Sequence, residues 1–118
     1  MKVSKKQLRS LIFDVISEVR MQGKNVEVSR GNILVDNVEF KVSANAGIKT
    51  AYQFVDVSLD KIEQTNAGLK VVGTALGVEV DDIVKPEKID AIGKGVNSGE
   101  NEFKIQGKRA LFKFIRVS

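Results

Sequence analysis

Two groups of carboxylates and one glycine-rich stretch are the places where residue type and spacing suggest chemistry. Asp56 and Asp60 fall on one face of an extended segment. Glu79 and Asp81 fall on one face of another, with Asp82 adjacent. Brought together, these groups would offer the oxygen ligands that calcium takes. No EF-hand loop is present, however, and the spacing is also that of a solvated strand face. A glycosidase would need two carboxylates opposed across a groove. With six Phe, one Tyr and no Trp, the chain has little to stack on a sugar.

The stretch Gly93-Lys94-Gly95-Val96-Asn97-Ser98-Gly99 has the composition of a phosphate loop. The Walker pattern requires Gly-Lys followed directly by Ser or Thr, between a strand and a long helix. Here Gly95 follows Lys94, and an extended segment follows the loop. The stretch therefore reads as a loop that orders on assembly. With no cysteine and no histidine, thiol nucleophiles, disulfides and most zinc, copper and haem ligation are excluded, as is the usual neutral-pH base. No enzyme activity, metal or cofactor is expected.

The elements that position these groups begin with a basic segment. Lys2, Lys5, Lys6, Arg9, Arg20 and Lys24, against Asp14 and Glu18, account for the whole net charge of +4. Ser4 and Gln7 form a capping box. Leu8, Leu11, Ile12, Val15, Ile16 and Val19 then recur at spacings of three and four, as on one stripe of a helix. Gly23 offers a stop. These signals predict an amphipathic helix over 5–21, with Phe13 off the stripe and free to touch a partner. Cations in the first turns oppose the helix dipole, so Lys5, Lys6 and Arg9 point to an anionic partner or to an exposed, soluble end.

Beyond Gly23 the period changes to two. Strands are predicted at 26–29, 33–35 and 38–42, with Asp36-Asn37 as a tight turn. A hairpin follows over 51–64 and 69–76, where Gly73 marks a bulge or a close approach. A strand over 78–84 leads to a short helical turn that starts at Pro86 and stops at Gly93, with Ile89 and Ile92 inward. Two last strands span 102–105 and 110–117. Phe112 and Phe114 alternate with Lys113, and apolar residues on both faces place this strand centrally or under the helix. Residues 101–118 are basic again, with Lys104, Lys108, Arg109, Lys113 and Arg116 against Glu102. Basic ends thus flank an acidic middle, a pattern that can steer assembly.

The expectation is one α+β domain over 1–118. Its N-terminal amphipathic helix packs on a curved antiparallel β-sheet or a small β-barrel or sandwich. No stretch approaches the roughly 20 apolar residues that cross a bilayer, so no membrane insertion is expected. The opening Met1-Lys2-Val3-Ser4-Lys5-Lys6-Gln7-Leu8-Arg9 resembles the starts of many small proteins of large tailed bacteriophages. That resemblance implies a structural virion component, in the virion or the host cytoplasm.

The functional expectation is a structural or assembly protein whose partners are copies of itself or other protein subunits. Lys5, Lys6, Arg9, Phe13, Lys94, Lys108, Arg109 and Lys113 are the candidate interaction residues. The alternative is an OB-like domain for single-stranded nucleic acid, with the cations on phosphates and Tyr52, Phe54, Phe112 and Phe114 as the only stacking candidates.

Overall fold

Four two-residue turns set the register of most of the chain. The computed structural model describes residues 15–45 and 53–117. Gln22-Gly23, Arg30-Gly31, Asp36-Asn37 and Leu76-Gly77 each have both φ angles positive, between 49° and 82°. That is the type I′ geometry, whose twist matches that of the flanking strands. The first three turns join β1 (Val15–Met21), β2 (Lys24–Ser29), β3 (Asn32–Val35) and β4 (Val38–Ala44) into one antiparallel meander.

The chain continues through β5 (Val55–Asp56), β6 (Ser58–Thr65), β7 (Gly68–Ala75) and β8 (Val78–Val84). Next come helix α1 (Pro86–Asn97), β9 (Glu102–Gln106) and β10 (Leu111–Arg116). The larger sheet has the order β1-β2-β3-β4-β10-β9, with β5 paired to β4. The smaller has the order β6-β7-β8. All pairings are antiparallel.

The core lies between the sheets. Val26, Val28, Ile33, Phe40, Val42, Phe112 and Phe114 of the larger sheet are buried, as are Leu59, Ile62, Leu69, Val71 and Val84 of the smaller. Phe40 centres an aromatic group, 5.8 Å from Phe103 edge-to-face and 6.3 Å from Phe114. Ile89 and Ile92 anchor α1 in the same core, against β2 and β3. As expected from its sequence, β10 is internal, between β4 and β9.

Three expectations are corrected. The helix predicted over 5–21 is a strand across 15–21, and residues 5–14 lie outside the described residues. The β-branched Val15, Ile16 and Val19 lose rotamer freedom in a helix and suit a strand. Ser17, Val19 and Met21 also alternate with Glu18 and Arg20, the pattern of a half-buried strand. Gly23, read as a helix stop, takes its positive φ in the β1–β2 turn instead. Second, the helix among the described residues is α1, late in the chain, and neither sheet closes into a barrel.

Third, the glycine-rich stretch is mostly helix. Pro86 stands at its start as predicted, but the stop is Gly99 rather than Gly93. With φ of 88°, Gly99 lets its own N–H reach Val96 O at 3.0 Å, while Glu100 N–H reaches Gly95 O at 2.9 Å, completing a Schellman end. Gly95 inside the helix lets α1 approach β9, since a Cβ there would run into the Phe103 ring.

Candidate interaction surface

β9 is an open edge. Among the described residues it pairs with β10 alone. Gly107 N–H bonds Ala110 O at 2.8 Å, and Arg116 N–H bonds Asn101 O at 2.8 Å. In an antiparallel ladder the bonded pairs alternate, so residues 101, 103, 105 and 107 spend their backbone groups on β10. The N–H and C=O of Glu102, Lys104 and Gln106 therefore point away from the sheet. Phe103 and Ile105 are buried, while the side chains of Glu102, Lys104 and Gln106 are exposed.

Beside this edge runs a concavity of about 500 Å³. One wall is α1, through Lys88, Ala91, Lys94, Gly95 and Ser98, and the other is Glu100 with residues 102–105. Two further concavities follow in a chain, the first adjoining it and the second adjoining the first. The first, of about 600 Å³, shares Lys88 and adds Lys85 and Lys108. The second, of about 340 Å³, shares Lys108 and adds Arg109, Lys70 and Asp81. Lys70 pairs with Asp81 at 3.7 Å and Lys94 with Asp90 at 3.1 Å. Lys85, Lys88, Lys104, Lys108 and Arg109 have no ion-pair partner among the described residues. This end of the molecule therefore presents several cations without an ion-pair partner among the described residues, with Glu100 and Glu102 on the same concavity as Lys88 and Lys104.

The β9–β10 turn that carries Lys108 and Arg109 is held from the other sheet by Asp82. Its carboxylate is buried on β8 and accepts from Arg109 N–H at 3.0 and 3.1 Å, Ala110 N–H at 2.9 Å and Ile83 N–H at 2.8 Å. Lys108 N–H adds a bond to Ile83 O at 2.9 Å. Asp82 is thus fully engaged in holding the turn. Asp56 pairs with Lys41 at 3.1 Å, and among the described residues no group of acidic side chains is arranged to hold a metal ion.

Of the residues singled out in the sequence, Lys108 and Arg109 stand together on the turn, and Lys94 lies on the neighbouring helix wall. Lys113 lies apart, on the outer face of β10, 3.5 Å from Glu102 and 4.9 Å above the Phe54 ring. Lys5, Lys6, Arg9 and Phe13, with Tyr52, lie outside the described residues. Phe112 and Phe114 are core residues and offer no stacking face.

Sequence reasoning missed Lys85, Lys88, Lys104 and the edge position of Glu102. Lys85 and Lys88 bracket the Pro86 helix start and were visible as a pair. The edge position follows from β10 inserting between β4 and β9, which no local pattern encodes. Among the described residues, no helix is long and apolar enough to cross a membrane. No family model matches the chain, nor does any curated protein or solved structure.

Proposed function

We propose that this chain is an assembly subunit that works through protein–protein contacts. The observation that carries the reading is the β9 edge, whose outward backbone donors and acceptors have no partner among the described residues and lie beside a concavity of about 500 Å³. Exposed edges are templates for pairing. The resemblance of the opening residues to small phage proteins adds that the assembly is a virion, and this part rests on that resemblance alone.

The cations without an ion-pair partner among the described residues favour a second reading, binding of single-stranded nucleic acid. Against it, Phe103, Phe112 and Phe114 are committed to the core, and stacking is what such sites use besides charge. Solution mass over a wide concentration range, with titration of labelled single-stranded DNA and RNA at two salt concentrations, separates the two. Assembly predicts a mass that rises with concentration. A strict monomer whose nucleic-acid affinity falls steeply with salt would overturn it.

A further inference from the structure

The geometry points to a second copy of this chain as the occupant of the β9 edge, paired antiparallel about Phe103. This deepens the assembly reading and rests on it. The outward backbone groups belong to residues 102, 104 and 106, so a bonded partner strand must place even residues opposite even residues. With two identical strands related by a two-fold axis, three registers align at least three residues of the strand Glu102–Gln106. One sets Lys104 against Lys104. One sets Ile105 against Ile105, and so Lys104 of each copy against Gln106 of its mate. The third sets Phe103 against Phe103, and so Glu102 of each copy against Lys104 of its mate.

Charge decides between them. Glu102 and Lys104 share the exposed face of β9. The Lys104 register opposes two ammonium groups, the Ile105 register sets each ammonium against the neutral Gln106, and the Phe103 register alone makes two reciprocal ion pairs between bonded positions. Like charges directly opposite destabilise a sheet and opposite charges stabilise it. A lysine on an edge commonly guards against pairing. Here the guard is neutralised in one register only, so it selects that register.

Lys104 also lacks an acidic partner of its own among the described residues, although Glu100 lines the same concavity. Lys104 lies directly opposite Lys113 on β10, and Lys113 takes Glu102 at 3.5 Å. Glu102 of a second copy would arrive on the open side of Lys104. On the inner face, the two Phe103 rings would meet across the axis and extend the Phe40 aromatic group. The wall of α1 beside the edge carries the small Ala91, Gly95 and Ser98 together with the long, polar-tipped Lys88 and Lys94.

The test uses the full chain in sedimentation velocity over a concentration series. Glu102→Lys and Lys104→Glu each turn the reciprocal pairs into repulsions, and each should weaken self-association at least about tenfold. Mixed together, the two variants restore both ion pairs across a mixed dimer, so the mixture should associate about as tightly as the parent. Lys104→Pro removes an outward N–H that β10 does not use, and should leave the fold intact while abolishing the dimer. Thermal melts of the dilute variants check that each is folded. A parent that associates while all three variants associate equally would overturn the β9 pairing and leave the assembly reading standing. A parent that is monomeric at every concentration would overturn self-pairing itself. An acidic extended peptide that binds a monomeric parent and is lost in Lys104→Pro would show a foreign strand at this edge and overturn the second copy.

Discussion

The outer strands of the two sheets are treated in opposite ways. On β6 the Ser17 hydroxyl donates to Ile62 O at 2.7 Å and accepts from Ile62 N–H at 3.1 Å. One side chain thus occupies both backbone groups that an incoming strand would use. Farther along, Leu59 N–H reaches Gly31 O at 3.0 Å and Val57 N–H reaches Val42 O at 2.9 Å. The edge of the smaller sheet is stitched to the larger one. β8 is closed at its Ile83 end by Lys108 N–H, and its Asp82 grips the neighbouring turn. Among the described residues, the β6 edge is plugged or stitched at Val57, Leu59 and Ile62, β8 is plugged at Ile83 alone, and β9 has no plug along its length.

Breaking the closed side should have the largest effect. Asp82→Ala leaves the N–H groups of Arg109 and Ala110 without their acceptor in a buried setting, and should lower stability by about 3 kcal/mol. Urea denaturation measures this. A loss below about 1 kcal/mol would mean that the turn is held by other contacts. Ser17→Ala uncovers one donor and one acceptor on Ile62, with an expected loss of about 1 kcal/mol. Hydrogen exchange at the Ile62 amide should accelerate in that variant while the β10 amides keep their protection. Lys104→Thr touches the open edge and should change the melting behaviour of the dilute protein least, by under about 0.5 kcal/mol. The expected sign is a gain, because an ammonium opposite Lys113 is removed. A large loss there would show that β9 is already supported by contacts of its Lys104 side chain.

The strands after Gly23 were legible because turn residues and two-residue alternation coincide. Asp36-Asn37 and the alternation of Val38, Phe40 and Val42 suffice for a hairpin, and the inward Ile89 and Ile92 follow from their spacing. The first segment misled because Val15, Ile16 and Val19 satisfy a three-four spacing and also sit in a strand. The Ser4–Gln7 capping box and the Gly23 stop favour the helix, while β-branching and the ladder to β2 favour the strand. The glycine-rich stretch misled differently. Glycine was read as freedom, whereas Gly95 serves close packing against Phe103. Of the candidate surface, Lys94, Lys108 and Arg109 were legible from local charge. The open edge was not, because it depends on which strands meet across long sequence separations.

The position of β10 has a consequence for how the protein is made. Phe112, Phe114 and Arg116 pair with Ala44, Val42 and Phe40, partners synthesised long before them. The β1–β4 meander and the β6–β8 hairpins close through local turns and can form as they emerge. β4 must then wait, its side toward β10 unpaired, until β9 and β10 are translated. Non-local pairings of this kind are slow, and an unpaired strand is prone to the wrong partner while it waits. Refolding should therefore show a late phase reported by the Phe114–Val42 ladder. In the cell, the interval before β10 docks is when this chain would most need a chaperone.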